Sequence, residues 1–283
     1  MKPTIGIFHS TIRTDEKLIL KAAEKKGVKV KLIDIRNETF DPQTYTVNFD
    51  VALERSVSTT KGMYCTDFLE SLGIKVINSS ATSRICEDKF LTSLSLYKEK
   101  VPTLKFAAVF SLEGAINTIN NWGGFPVVIK PPLGSWGRLL AKVNDIDCLE
   151  AIIEHKEVLG SPQQKVFYLQ EYVEKPGRDI RSFVIGGKTV CAIYRNSSHW
   201  ITNTALGGNA TNCPVIKELA EISKSASGAV GGGILAIDLI ETKDGLKVNE
   251  INHTMEFKNS EVPTKTSISG AIVDYCLQQI GEL

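Results

Sequence analysis

The segment 234–252 constrains the fold more than any other part of the chain. It reads ILAIDLIETKDGLKVNEIN, an apolar run followed by a Lys-Asp-Gly turn and a run in which polar and apolar residues alternate. An Asp-Gly pair between two such runs predicts a β-hairpin. We therefore predict antiparallel strands at 234–241 and 246–252.

The same hairpin predicts a metal site. Asp238 lies between apolar neighbours on the first strand, and Glu250 and Asn252 lie two positions apart on the second. Because side chains alternate along a strand, Glu250 and Asn252 share a face, and Asp238 can face the same way. Oxygen ligands of this kind suit a hard cation such as Mg²⁺. The alternative is that all three are ordinary solvent-facing strand residues.

The first part of the chain has the pattern of a parallel α/β lobe. Short β-branched runs enclose a lysine-rich stretch with helical spacing that stops at Gly27. We predict strands at 4–8, 28–33, 51–53 and one ending at Ile77, with helices at 16–26 and 61–72. The Asn-Ser-Ser segment at 78–80 offers caps for a further helix that carries Arg84, Glu87, Asp88 and Lys89.

Two further lobes follow. The second is predicted to contain strands at 105–109, 126–130, 138–143 and 166–171, with helices at 112–121 and 146–155. The third is predicted to contain antiparallel strands at 180–185 and 189–195, a polar loop at 196–214, a helix ending at Ala229, the hairpin, and a helix at 270–280. The fold class is therefore α/β, with α+β lobes.

Charge and cysteine content exclude several classes of protein. Lys plus Arg number 33 against 32 for Asp plus Glu, so the formal charge of +1 gives no field that would attract nucleic acid or an anionic membrane. The six cysteines form no C-x-x-C pair, and the first residues, MKPTIGIFHS, match no signal peptide. We expect reduced thiols in a cytoplasmic protein; the oligomeric state stays open, and a homo-oligomer is compatible with the sequence.

A glycine-containing loop is a candidate for binding phosphates. The run VVIK, which ends at Lys130, leads into PPLGSWGR, which ends at Arg138. Glycines let backbone N–H groups approach phosphate oxygens, and the two cations add positive charge. A plain turn between two strands is the alternative. The chain has neither a Walker sequence nor a dinucleotide-binding fingerprint.

A second nucleotide-binding candidate begins at Gln170. The run QEYVEKPGRDIR predicts a strand, a turn and a strand, which could expose backbone groups to an adenine and Asp179 to the ribose. The alternative is a charged surface hairpin.

Taken in chain order, Asp88-Lys89, Lys130, the GSWGR loop, QEYVEKPGRDIR, Asp238 and VNEIN resemble the ATP-grasp ligases, in the branch that includes ribosomal-protein glutamate ligases. The stretches NTALGGNATNCP and NEINHTMEFKNS look like the LysX family. The resemblance implies an ATP-grasp fold in which two lobes clasp ATP. Its domains would be an N-terminal pre-ATP-grasp domain at 1–95, a central subdomain at 96–174 with a lid loop at 134–138, and a C-terminal subdomain at 175–283 with the metal site.

The resemblance also implies roles for individual residues. Catalysis would involve Lys130, Arg195 and Glu250, and magnesium would be held by Asp238, Glu250 and Asn252. ATP would contact Lys89, Lys130, Gly134, Ser135, Trp136, Gly137, Arg138, Gln170, Glu171, Tyr172, Val173, Asp179, Arg181 and Asn203. The substrates would contact Arg195, Thr204, Ala205, Leu206, Gly207, Gly208, Asn259 and Ser260.

LysX enzymes join the amino group of α-aminoadipate to the C-terminal glutamate of the small acidic carrier protein LysW, and the resemblance implies that carrier as partner. The glutamate-specific ArgX enzymes typically have Gly-Phe where this chain has Asn259-Ser260. This difference favours α-aminoadipate, although Ser260 departs from the usual Thr or Ala. Two alternatives stay open: a glutamate ligase acting on a carrier or ribosomal protein tail, and a noncatalytic nucleotide-binding module.

Several polar residues near these motifs have two interpretations. His253 could accept the proton of the amine, or it could be a structural histidine at a strand end. His199 and Trp200 could contact the carrier or simply face solvent. Glu256, Lys258 and Asn259 could contact the distal carboxylate of the amino acid, or form a solvated run of charges.

Overall fold

The N-terminal lobe is a four-stranded parallel sheet with helices, as predicted. The computed structural model describes residues 3–134, 138–202 and 209–281. The sheet has the order β2-β1-β3-β4. Its elements are β1 (Thr4–His9), α1 (Thr14–Lys25), β2 (Lys29–Asp34), β3 (Val51–Glu54), α2 (Thr59–Ser71) and β4 (Val76–Ile77).

Two helices follow where a single one was predicted. Ser79 caps α3 (Ser80–Glu87) by accepting a hydrogen bond from the backbone N–H of Thr82. Asp88 has an extended backbone and caps α4 (Lys89–Lys98), its carboxylate accepting from two backbone N–H groups. The prediction that Asp88 and Lys89 continue the helix of Arg84 was therefore wrong, because an aspartate that bonds the next turn starts a helix instead. Lys89 consequently lies in the first turn of α4.

The second lobe has an antiparallel sheet in the order β5-β8-β6-β7, covered by two helices. Its elements are β5 (Phe106–Val109), α5 (Leu112–Asn121), β6 (Val127–Lys130), β7 (Ala141–Val143), α6 (Ile146–Leu159) and β8 (Phe167–Glu171). Strand β7 starts later than the predicted residue 138, because Arg138 and Leu139 form a turn in which Leu139 has a φ of 58°.

The third lobe is built on a five-stranded antiparallel sheet with the order β11-β10-β9-β12-β13. The predicted hairpin is present, with a register irregularity between Asp238 and Leu239. The elements are β9 (Arg178–Ile185), β10 (Lys188–Asn196), β11 (Asn209–Cys213), α7 (Lys217–Ala229), β12 (Ile234–Thr242), β13 (Gly245–Asn252), α8 (Glu261–Thr264) and α9 (Ile268–Gly281).

Strand β11 lies inside the stretch that was predicted to be a polar loop. It pairs with β10 from Ala192 opposite Cys213 to Asn196 opposite Asn209. Its sequence, NATNC, has no alternation of apolar and polar residues that would have indicated a strand. An edge strand with exposed faces needs no such alternation, because backbone hydrogen bonds to its neighbour can stabilise it.

The N-terminal and third lobes share one hydrophobic core. Ile5 of β1 and Ile19 of α1 pack in the same buried cluster as Phe183 of β9 and Ile272 of α9. Helix α9 packs along α1. The start of α1 is consequently held against the segment that follows β13. Within the three described ranges, no helix is both long and apolar enough to cross a membrane.

Candidate functional site

A cavity of about 270 Å³ is lined by all three lobes. Arg13 and Ser56 come from the first lobe, Lys130 from the second and Asp238 from the third. Fourteen of the residues to which the family resemblance assigns a role line it: Lys89, Lys130, Gly134, Arg138, Gln170, Glu171, Tyr172, Val173, Asp179, Arg181, Arg195, Asp238, Glu250 and Asn252. The further candidates Trp200, His253 and Glu256 also line it. Residues separated by up to 163 positions in the chain, from Lys89 to Asn252, thus meet in one place.

Other predicted residues lie elsewhere. Asn259 is exposed and Ser260 is buried before the first turn of α8, and neither lines the cavity. Nine predicted residues lie outside the described ranges: Ser135, Trp136, Gly137, Asn203, Thr204, Ala205, Leu206, Gly207 and Gly208.

Lys130 is a buried cation at the end of β6. Its Nζ donates to Gln170 Oε1 at 2.5 Å and to Asn249 Oδ1 at 3.2 Å, and the residue is 7% exposed. Burial is the main reason that the pKa of Lys130 is lowered to about 8. Repulsion by Lys89 and Lys175 adds to this lowering, whereas attraction by Glu250 opposes it. The lysine is thus held by neutral oxygens, which leaves its charge uncompensated at short range and suited to an anion.

Lys89 connects α4 to the glycine loop and to the hairpin. Its Nζ donates to the carbonyl of Gly134 and lies 3.8 Å from Glu250 Oε1. Its backbone N–H donates to the carbonyl of Pro132 at 3.0 Å. The described start of the loop is therefore attached to the same lysine that faces the predicted metal site.

Two ion pairs surround the buried carboxylate of Asp238. Arg181 donates from Nε and Nη2 to its two carboxylate oxygens at 2.7 and 2.8 Å, and Nη2 of Arg195 lies 3.1 Å away. Burial alone would raise the pKa of Asp238, but the two arginines outweigh it and hold that pKa below its ordinary value. Asp238 is thus an anion fixed in place from two sides.

Asp179 holds Arg195 from the other side. Arg195 donates from Nε and Nη2 to the two oxygens of Asp179 at 2.7 and 2.6 Å, and the hydroxyl of Thr202 donates to Asp179 Oδ2. Asp179 and Arg195 are each 4% exposed. Burial would lower the pKa of Arg195, but Asp238 and Asp179 raise it. The predicted contact of Asp179 with a ribose stays a prediction, and in the structure both of its oxygens are engaged in positioning Arg195.

The oxygen ligands predicted for magnesium are brought together. Asp238 and Glu250 are directly opposite each other in the hairpin, and Asn252 Nδ2 lies 3.5 Å from Asp238 Oδ2. Within the described residues no group of three or more His, Cys, Asp or Glu side chains could hold a metal. Two carboxylates and an amide oxygen are nevertheless suited to Mg²⁺, which takes few protein ligands. Glu250 is the more accessible of the two acids, with its side chain 28% exposed and its carboxylate near Lys89.

An apolar section of the cavity is suited to a flat ring. Leu104, Val128 and Ile240 line it beside the end of β8, at Gln170 to Val173. Glu171 is held there by the backbone N–H of Lys105 at 2.9 Å. Apolar walls next to a strand end with backbone groups have the chemistry of an adenine site, and the adenine contact predicted for Gln170 to Val173 stays a prediction.

Several cavity residues were missed by sequence reasoning. Lys175 donates to Thr202 at 3.0 Å, and Asn249 accepts from Lys130. Arg13 follows β1 at the carboxyl edge of a parallel sheet, where ligand-binding residues commonly lie. That rule could have identified Arg13, whereas no local pattern distinguishes Lys175 or Thr202 from the residues of an ordinary turn.

Two family models cover most of the chain. The LysX preATP-grasp domain matches residues 5–85, and the RimK-like ATP-grasp domain matches residues 86–276. The chain is similar to the glutamate--LysW ligase ArgX of Sulfurisphaera tokodaii, with 36% identity over 267 residues, 93% of this chain and 94% of that protein. It is also similar to the α-aminoadipate--LysW ligase LysX of Saccharolobus solfataricus, with 37% identity over 252 residues, 88% of this chain and 91% of that protein.

Solved structures agree on the fold. A RimK domain protein ATP-grasp from Sphaerobacter thermophilus superimposes with a TM-score of 0.81 at 23% identity, covering 97% of this chain and 99% of that chain. At that identity the likeness establishes the architecture alone, and the three lobes and the clasped cavity described above agree with it.

Proposed function

The chain belongs to the RimK-like ATP-grasp ligases with a LysX-type N-terminal domain, and on that premise we propose that it ligates α-aminoadipate to a LysW-type carrier protein. In this proposal the amino group of α-aminoadipate is joined to the γ-carboxylate of the carrier's C-terminal glutamate, as a step of lysine biosynthesis. Relatives named for ligation to LysW support the carrier, and the ATP-dependent joining of a carboxylate to an amine is the chemistry of the family.

One observation carries the proposal. Lys89, Lys130 and the Asp238–Glu250 pair, contributed by different lobes, all line one cavity. Cations opposite paired carboxylates are what phosphoryl transfer requires, because that reaction needs alignment and charge neutralisation more than a nucleophilic side chain. ATP-grasp ligases use ATP together with magnesium.

We propose roles for individual residues that agree with their surroundings. Lys89 and Lys130 would hold the phosphates of ATP, and Asp238, Glu250 and Asn252 would hold magnesium. When bound, magnesium would neutralise charge on the phosphate oxygens. The carrier's carboxylate would receive the γ-phosphoryl group, and the amine would then displace phosphate from the resulting acyl phosphate.

Arg195 would stabilise negative charge in both steps. Its guanidinium is fixed by Asp179 on one side and by Asp238 on the other, so it needs no rearrangement as charge develops on the reacting oxygens. Asp179 would act through Arg195, as a positioning residue.

Glutamate is the second candidate for the amine. ArgX relatives from two organisms are each 36% identical to this chain, close to the 37% of the LysX relative. Overall similarity therefore does not separate the two amino acids. The Asn259-Ser260 pair, where ArgX enzymes typically have Gly-Phe, is the feature that favours α-aminoadipate.

The decisive experiment measures ADP release by the purified enzyme with ATP, magnesium and a purified LysW-type carrier. We expect α-aminoadipate to support release more efficiently than glutamate, and a carrier without its terminal glutamate to support none. Hydroxylamine in place of the amino acid should yield a carrier hydroxamate by trapping the acyl phosphate. Preference for glutamate would replace the proposed amine, and absence of both ADP and hydroxamate would refute the proposed ligation.

A further inference from the structure

An arginine and a glutamate in the cavity wall have no role in the proposed function, although the sequence offered the glutamate, Glu256, as a contact of the amino acid's distal carboxylate. Arg13 lies between β1 and α1, and Glu256 lies four residues after the end of β13. Both line the cavity, with side chains 20% and 33% exposed. Arg13 Nη1 is 3.5 Å from Glu256 Oε1, so opposite charges lie next to each other in the wall.

The guanidinium of Arg13 is held in one orientation. Its Nε and Nη2 donate to the two oxygens of Glu16 at 3.1 and 2.9 Å, and Nη2 also donates to the carbonyl of Arg55 at 3.3 Å. Glu16 is fully buried. Because a guanidinium is planar and rigid, these contacts direct the remaining nitrogen, Nη1, towards Glu256.

The segment that carries Glu256 is held by the same lobe. Asp15 accepts hydrogen bonds from the backbone N–H groups of Phe257 and Lys258 at 2.6 and 2.8 Å. Arg55 donates to the carbonyl of Met255 at 3.0 Å. The residues on both sides of Glu256 are thus anchored, which places its side chain beside Arg13 before any ligand binds.

The pair is looser than the arginine–aspartate pairs of the cavity. Its separation of 3.5 Å exceeds the 2.6 to 3.1 Å found where Arg181 and Arg195 contact Asp238 and Asp179. At that distance, with both side chains partly exposed, the two charges stabilise each other little. Each can therefore exchange its partner for a ligand group at small cost.

We propose that Arg13 and Glu256 bind the amine substrate through its α-carboxylate and its α-amino group. This inference rests on the proposed function, because it concerns the amino acid consumed by that reaction. An α-amino acid carries the two groups on one carbon, so a fixed cation beside a fixed anion is complementary to it. His253 and Thr254 also line the cavity, along the chain between Asn252 and this pair.

One consequence is that Arg13 and Glu256 bind the amino acid without selecting between α-aminoadipate and glutamate. The pair contacts groups that α-aminoadipate and glutamate have in common, so it cannot distinguish their lengths. Loss of Arg13 should therefore weaken the binding of both amino acids by similar factors, and selectivity between them must come from other residues.

The main test is Arg13→Gln in the full-length enzyme with carrier and ATP. We expect the KM for α-aminoadipate to rise about 10- to 100-fold, the range for losing a charge-assisted hydrogen bond. The KM for ATP and hydroxamate formation should change far less, because neither involves the amino acid. Arg36→Gln is the matched control, since Arg36 is an exposed arginine of the same lobe that forms a local ion pair with Asp34.

A truncated substrate separates recognition from a merely structural role. 5-Aminopentanoate is α-aminoadipate without its α-carboxylate, and the wild-type enzyme should use it much less efficiently. In Arg13→Gln that difference should nearly disappear, because the carboxylate has lost its partner. A difference of unchanged size would overturn the proposal, as would an equal loss of ligation and of hydroxamate formation.

Glu256→Gln keeps the test decisive if Arg13→Gln does not fold. Within the described part of the chain, the only ion pair of the Glu256 side chain is the 3.5 Å contact with Arg13, so the fold should tolerate the change. We expect a raised KM for the amino acid with hydroxamate formation little affected; an unchanged KM would contradict the role of Glu256. If the wild-type enzyme forms neither hydroxamate nor ADP, the proposed function is refuted as well. If the wild-type enzyme is active but the variants do not show the expected rise in KM for the amino acid, only this inference is refuted.

Discussion

Replacing Asp179 with asparagine tests whether this residue positions Arg195 or binds the nucleotide. The change removes the negative charge that faces Arg195 at 2.6 and 2.7 Å while keeping the size of the side chain. Both residues are 4% exposed, so water cannot replace the lost partner. We expect lower stability together with slower ligation.

The magnitude follows from burial. Breaking a buried ion pair typically costs about 3–5 kcal/mol of unfolding free energy, because a charge is left without its partner. Arg195 keeps Asp238 at 3.1 Å, and asparagine keeps one carbonyl oxygen, so the loss should lie around the lower end of that range. We expect a loss of about 2–4 kcal/mol, which would lower the melting temperature by roughly 5–10 °C.

The control is the pair formed by Asp34 and Arg36. That arginine also donates two hydrogen bonds to its aspartate, at 2.9 and 2.6 Å, but the pair is at the surface. Asp34→Asn should therefore leave the melting temperature almost unchanged. The comparison keeps the geometry of the contact and varies its burial.

Two assays decide the outcome. Thermal and denaturant unfolding give the change in stability, and steady-state ADP release gives kcat and the KM for ATP. Arg195→Met, alone and combined with Asp179→Asn, should reveal a coupling energy of about 1.5 kcal/mol or more. Unchanged stability with a raised KM for ATP would refute this reasoning and favour the ribose contact that the sequence suggested.

Three other perturbations have defined outcomes. Glu250→Gln should slow ADP release about 100- to 1,000-fold and raise the magnesium concentration needed for half-maximal rate; unchanged turnover would remove Glu250 from the site. Because burial lowers the pKa of Lys130 to about 8, its charge is lost as the pH rises through that value. ATP affinity should fall over the same interval, and Lys130→Arg should abolish the dependence because a guanidinium does not titrate there. Asn78→Ala removes three hydrogen bonds of 2.6 to 2.8 Å to Ile234 and His253 and should cost about 3 kcal/mol in chemical denaturation, with a loss below about 1 kcal/mol contradicting the account.

Much of the fold could be predicted because local patterns agree with the tertiary structure. Helix α5 has the predicted bounds, and the hairpin of β12 and β13 pairs across the predicted turn. Predictions were wrong where a single polar residue or a neighbouring strand decides the structure. Asp88 divides two helices by capping the second, and β11 exists through its pairing with β10.

The residues of the hairpin were identifiable because strand geometry alone places Asp238, Glu250 and Asn252 together. Their surroundings were not identifiable in the same way. The hydrogen bonds from Arg195 to Asp179 depend on a strand register that an irregularity between Thr189 and Cys191 sets, and the contact between Arg13 and Glu256 joins residues 243 positions apart. No local pattern records such pairs.

The sequence by itself determined most of the strands and helices and the hairpin that brings Asp238, Glu250 and Asn252 together, and it identified the lysines expected to face phosphates. These features depend on periodicity and turn chemistry, which act over a few residues. Only the tertiary structure decided that Asp179 positions Arg195, and that Arg13 and Glu256 lie side by side in the cavity. Those arrangements depend on burial and on packing between lobes, and the strength of a charge pair is set by its burial rather than by its place in the chain.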